Sequence, residues 1–206
     1  MRAKRVGGIL SVTTLGFIAA GMVVAPQASG IVDGREADST PGAVRVAFGC
    51  SGSVISPTWV LTAKHCVDEG MTYAEVAVGN VNTDHAEVVK SMSIHLNDRA
   101  DLALLELERP VNVTFAQLGD KVNVGDTEQV FGWGYGNKLK VADMRVVTVD
   151  HGIAAEYING RTEGGDSGGP VFVDGKQVGV HYARGHYSYH VNLQVHRQWI
   201  KEISGV

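Results

Sequence analysis

The sequence predicts an all-β protein that ends in one helix. Three observations carry this. Short apolar and β-branched runs recur along the chain, each bounded by turn residues. Gly, Asn, Asp and Pro punctuate the gaps. Only residues 192–203 place apolar side chains (Leu193, Val195, Trp199, Ile200, Ile203) at the mixed i, i+4 and i+7 spacings of an amphipathic helix, expected to pack on the second half of the chain.

The first thirty residues stand apart. Arg2, Lys4 and Arg5 make a basic start, residues 8–24 are apolar without an acid, and Ala28-Ser29-Gly30 offers the small residues of a cleavage site. This reads as a secretory signal peptide over 1–30, with an uncleaved membrane helix as the alternative. No later apolar run of about 18 residues follows, so no membrane association is expected after cleavage. The 176 residues that remain suffice for one core or two small ones. They carry 15 basic against 22 acidic side chains, a formal charge of −7. That balance argues against nucleic acid as a partner, because phosphate binding needs a basic face.

Candidate strands in the first half are 44–48, 53–55, 59–62, 73–78, 87–94 and 102–107. The run 102–105 suits a helix by periodicity, but its short length before Arg109-Pro110 favours a strand. Residues 112–119 read as the connector. The second half offers 128–132, 141–149, 170–173 and 177–182.

Chemistry enters at Gly165-Asp166-Ser167-Gly168-Gly169-Pro170. A serine hydroxyl is a weak nucleophile; it needs a base to take its proton and donors to hold the resulting oxyanion. Taken alone the string also fits a glycine-rich turn. Two further motifs change the balance. Thr62-Ala63-Lys64-His65-Cys66 offers a base after an apolar strand, and Asp101 heads a second apolar run. The order is His, Asp, Ser. With Ile31-Val32-Asp33-Gly34, Phe131-Gly132-Trp133-Gly134 and Trp199-Ile200, these motifs make residues 31–206 resemble the trypsin/chymotrypsin-like serine endopeptidases, closest in style to secreted bacterial members with few disulfides.

The resemblance implies two antiparallel six-stranded β-barrels with the site between them. Barrel one would cover about 31–115, barrel two about 120–190, and the helix about 192–203. It implies His65 as general base and acid, Asp101 as its orienting carboxylate and Ser167 as nucleophile. The N–H groups of Gly165 and Ser167 would form the oxyanion hole, and a new Ile31 ammonium would pair with Asp166; a plain first strand is the alternative for Ile31-Val32. The chain has two cysteines, Cys50 and Cys66. Export favours a disulfide, with free thiols or metal ligation as alternatives; the resemblance implies the disulfide.

Specificity departs from trypsin. Six residues before Ser167, where trypsins have an aspartate, stands Arg161. Cleavage after Lys or Arg is therefore disfavoured. Thr162 and Gly179-Val180-His181 match acid-selective bacterial members, so a preference for Glu or Asp before the scissile bond is expected, with Arg161 and Arg184 adding positive potential. The alternatives are that Arg161 points outward to Glu163 and His181 merely packs, with a preference for small or apolar residues instead. Tyr182-Ala183-Arg184 replaces the family's usual Ser-Trp-Gly groove wall. Partners would be peptide or protein substrates and a proteinaceous inhibitor, on a monomer with no cofactor and no metal, secreted to the extracellular space. The competing readings are a catalytically silent homologue that binds a partner through the same groove, and an esterase, whose usual order of catalytic residues differs.

Overall fold

A computed structural model describes residues 30–206 other than Phe48, Asp68, Glu69 and His151. The expected signal peptide lies outside the described residues, save for Gly30. After the two-residue strand β1 (Arg35–Glu36), six strands form the first barrel: β2 (Ala43–Val46), β3 (Cys50–Ser56), β4 (Trp59–Thr62), β5 (Glu75–Val78), β6 (Glu87–Leu96) and β7 (Ala103–Leu107). They close in the order β2-β3-β4-β7-β6-β5, every pair antiparallel. Closure removes the exposed edges that would otherwise invite pairing with other chains.

The second barrel uses β8 (Thr127–Gly132), β9 (Lys140–Thr148), β10 (Ile153–Asn159), β11 (Pro170–Val173), β12 (Lys176–Arg184) and β13 (Ser188–Asn192). The ring runs β8-β9-β10-β13-β12-β11 and returns to β8. The helix α1 (Leu193–Ser204) follows directly. Asn192 caps it, its side chain accepting from Gln194 N at 3.1 Å, and Gly205 ends it at φ +79°.

The cores follow from strand parity. In β5, Val76 and Val78 face inward while Glu75 and Ala77 are half-exposed. The barrel-one core gathers Val54, Val60, Leu61, Leu102, Leu104 and Leu105, all fully buried. Each such side chain stabilises by roughly 1.5–3 kcal/mol on burial. In β8 the parity that buries Val130 also buries Glu128. In β13 it buries Ser188, His190 and Asn192.

Several expectations need correction. Strands β1, β10 and β13 were not expected. The strand expected over 44–48 stops at Val46, because Ala47 turns the chain with φ +48°. Residues 31–36 belong to the second barrel: β1 pairs with β9, and Ile31 is buried with Val130, Met144 and Val171. The terminal helix does not rest on the second half alone. Leu193 and Ile200 enter the barrel-one core, and the helix touches both β12 and β7.

Candidate active site

His65 sits in a single 3-10 turn, Lys64–Cys66, that follows β4. Two contacts fix it. The Cys50–Cys66 disulfide ties the turn to the start of β3, so the two cysteines are neither free thiols nor metal ligands. Asp101 holds the residue from the other side: Oδ2 lies 2.6 Å from His65 Nδ1, and Oδ1 accepts the His65 backbone N–H at 2.9 Å. Asp101 is itself placed by Asn97, whose buried side chain accepts from Arg99 N at 2.8 Å and Ala100 N at 3.0 Å. That turn delivers the carboxylate at the entrance to β7. The hydrogen bond to Asp101 and its charge raise the His65 pKa above the ordinary imidazole value, against partial burial. Burial pushes the Asp101 carboxyl upward, but hydrogen bonds from His65 outweigh it and hold the group below the usual range.

Ser167 lies in the turn before β11, half-buried. Barrel one grips that turn through one residue of β3. Ser51 N donates to Ser167 O at 2.7 Å, and Ser51 Oγ donates to Gly165 O at 3.0 Å. Thr62 Oγ1 donates to Ser51 O at 2.7 Å, from the strand that leads to His65. Cys66 Sγ is 3.6 Å from Ser167 O. The turn therefore lies against the His65 segment. Two glycines permit the approach. Gly165 has φ +92° and a side chain there would strike the Gly134 backbone; Gly168 has φ +83° and a side chain would strike Ser51 O and Thr62 Oγ1. Asp166 is fully buried beneath the turn. Its carboxylate accepts from Gly134 N at 2.8 Å and Glu163 N at 2.7 Å, and the Ile31 backbone bonds to it too. Burial pushes its carboxyl up to about 7, partly offset by these bonds.

Comparison with known proteins places this arrangement. The trypsin family profile matches residues 31–200. The chain belongs to the trypsin family. It is 32% identical over 181 residues to a putative peptidase of Corynebacterium glutamicum, covering 76% of this chain and 64% of that protein. The chain thus spans less than two thirds of that relative's length. It is 33% identical over 169 residues to a trypsin of the fly Simulium vittatum, covering 64% of this chain and 68% of the relative. Among solved structures, a scabies mite inactivated protease paralogue superposes with TM-score 0.80 and human heparin binding protein with 0.74, each at 22% identity over 85% of this chain and 97% of theirs. At that identity the likeness concerns fold.

Within this trypsin-family frame the expected specificity residues divide. Arg161 is not at a pocket base. Its backbone pairs with Val32, and its exposed guanidinium lies over the Tyr157 ring, 5.5 Å from the centroid. Nor does it reach Glu163, whose carboxylate instead meets Arg184 at 2.8 Å. Thr162 and His181 do come together, each 1% exposed, with Ser188 between them. Thr162 Oγ1 is 3.4 Å from Ser188 Oγ, which is 3.3 Å from His181 Nδ1. The string continues inward. His181 Nδ1 is 3.3 Å from His190 Nδ1, and His190 Nε2 is 2.7 Å from Glu128 Oε1, both fully buried. That last contact lies off the ring N–H axis and is not a directed hydrogen bond. Burial, then the neighbouring His190, lower the His181 pKa well below its ordinary value, so this ring is neutral. On the Asp101 side, a cavity of about 470 Å³ is lined by Arg99, Tyr182, Asn192 and His196 among others. Ala183 is half-buried at the end of β12.

Sequence reasoning missed Ser51, Asn97, Glu128, Ser188 and His190. Glu128 alone carried a legible signal: it shares strand parity with the apolar Val130, which places an acid on the inward face.

Proposed function

We propose that this protein is a secreted serine endopeptidase. The observation that carries the reading is the 2.6 Å contact of Asp101 with the His65 ring, on the same wall of barrel one that bonds to the Ser167 turn. Asp101 accepts a hydrogen bond from the Nδ1–H of His65 and stays ionised, which fixes the tautomer whose Nε2 is free to accept a proton from Ser167 Oγ. Ser167 attacks the scissile carbonyl. The backbone N–H groups of Gly165 and Ser167 hold the oxyanion. His65 then returns the proton to the leaving amine, and water releases the acyl group by the reverse sequence.

Ile31 and Asp166 form the activation pair. In the intact chain the Ile31 nitrogen is an amide, and burial leaves the Asp166 carboxyl partly protonated near neutrality. Cleavage before Ile31 creates an ammonium beside it. The pair then orders the turn that carries both oxyanion donors, and breaking such a buried pair costs roughly 3–5 kcal/mol. The fold alone does not carry activity, since one fold neighbour is named as an inactivated protease paralogue; the reading rests on the side chains. Export agrees with the leader sequence, and no described helix is long and apolar enough to cross a membrane. With Arg161 turned away, preference for Glu or Asp before the scissile bond rests on Thr162, His181 and Arg184. The enzyme acts on peptides or proteins as a monomer and presents its groove to protein inhibitors.

Digestion of a mixed peptide library tests this. The secreted protein should cut it, and Ser167→Ala and His65→Ala should each lose roughly 10⁴-fold or more while folding normally. The double variant should be no slower than either single one. Full activity in either single variant would refute the assignment.

A further inference from the structure

The two walls flanking the Thr162–His181 cluster are joined by an exposed ion pair. Glu163 stands on the loop that leads to Ser167, directly after Thr162, and its backbone N–H is fixed on Asp166. Arg184 stands at the end of β12, three residues after His181, where it pairs with Ser188 across the strands. Arg184 Nη2 and Glu163 Oε2 meet at 2.8 Å, with the side chains 48% and 27% exposed. Between the two walls Thr162, Ser188 and His181 are at most 1% exposed. A substrate side chain that is to reach Thr162 and His181 must displace something. The rest of the cluster is anchored by strand pairing and by the buried string to Glu128. The ion pair is the solvent-facing, separable part, and exposed pairs of this kind contribute little to stability.

We infer that Arg184 and Glu163 form a carboxylate-exchange latch: a Glu or Asp side chain of the substrate replaces Glu163 on Arg184 as it enters the Thr162–His181 cluster. This rests on the peptidase reading above and names what its pocket recognises. The exchange needs no net change in charge pairing. Arg184 loses one carboxylate and gains another, and the incoming one also gains the Thr162 hydroxyl and an imidazole donor. A neutral substrate side chain would have to leave Arg184 and Glu163 paired across its path, or part them without replacing the lost bond. Glu163, once released, stays near the pocket and repels the very carboxylate it has yielded to. The latch therefore both selects for acids and limits how tightly they bind.

The test compares two substrates that differ only in Glu against Gln before the scissile bond, so that losses in folding or general activity cancel in the ratio of their kcat/KM values. The wild type should favour Glu. Arg184→Gln should lower the Glu/Gln ratio about 10-fold or more, the worth of one charge-assisted bond. Glu163→Gln should raise the ratio about 3-fold, since the competitor and its repulsion are both removed. A ratio in Arg184→Gln within two-fold of the wild type would overturn the latch, as would a fall in Glu163→Gln. Fluorophosphonate labelling of each variant separates the two levels of failure: normal labelling with unchanged ratios rejects the latch alone, and an unlabelled wild type rejects the peptidase reading and the latch with it.

Discussion

The two barrels share a topology but fill it with different chemistry. Barrel one encloses an almost wholly apolar core, and its ends are held by the disulfide and by the Asn97 turn. Barrel two has a smaller apolar cluster and, beside it, a buried polar string from Thr162 through Ser188, His181 and His190 to Glu128. The difference follows from what each half supplies. Barrel one holds His65 and Asp101 at its rim, both partly open to solvent. Barrel two turns polar groups inward, and each buried polar group then needs a partner further in, a series that ends at Glu128. Placement comes from apolar packing in one half and from a series of buried polar contacts in the other.

The comparison breaks most visibly at Asp101. Asp101→Asn should lower kcat by roughly 10⁴-fold, the loss met when trypsin-type enzymes lose this carboxylate. In the wild type His65 must be neutral to act, and its pKa is raised. The acid limb of kcat/KM should therefore lie above pH ~6.5, and in Asp101→Asn the residual activity should show that limb moved down. An unmoved limb would mean that the contact does not tune His65.

Next in size is the buried pair of barrel two. Glu128→Ala leaves His190 buried without its carboxylate and should cost roughly 3–5 kcal/mol in urea unfolding. Leu104→Ala in barrel one should cost a comparable 2–5 kcal/mol through its cavity. The second substitution tells them apart. Adding His190→Leu to Glu128→Met should recover most of the stability, because an apolar pair needs no partner, while the Glu/Gln discrimination of the pocket is lost. Wild-type stability in Glu128→Ala would remove the string from the account.

Asp166 gives a pH signature. In the form that still carries residues before Ile31, its folded pKa of about 7 lies above the unfolded value of 3.8. The folded state then holds the proton more tightly, so stability is greatest below pH ~4 and falls, by on the order of 4 kcal/mol, as pH rises to about 7. A form that begins at Ile31 should lack this fall, since the ammonium stabilises the carboxylate. Equal pH dependence in the two forms would argue against the activation pair. The smallest effect is the disulfide. Replacing Cys50 and Cys66 by serine should cost about 3 kcal/mol on the chain-entropy account, with a loss of kcat because the His65 turn loosens.

How far the sequence revealed these features depended on what each strand turns inward. β4, β7 and β11 bury apolar residues and were legible. β13 buries Ser188, His190 and Asn192, so it reads as a polar loop, although it carries the heart of the buried string. β10 opens Ile153-Ala154-Ala155, too weak a β pattern to stand out. The positions of His65, Asp101 and Ser167 were readable because each lies in a local motif. Ser51 and Asn97 were not, because their work is done by partners distant in sequence or by a turn with no distinctive string. Arg161 was placed in the pocket by counting from Ser167; the bridge to Val32 and the Tyr157 ring, which turn it outward, are tertiary contacts that counting cannot see.

The central claim is that Ser167 is a nucleophile activated by a His65 ring that Asp101 holds in place. It is tested most directly by treating the purified protein with a fluorophosphonate and mapping the adduct by peptide mass spectrometry. The account predicts one adduct, on Ser167, formed rapidly in the wild type and lost in His65→Ala. An adduct elsewhere, no adduct on the folded wild type, or undiminished labelling in His65→Ala would contradict it.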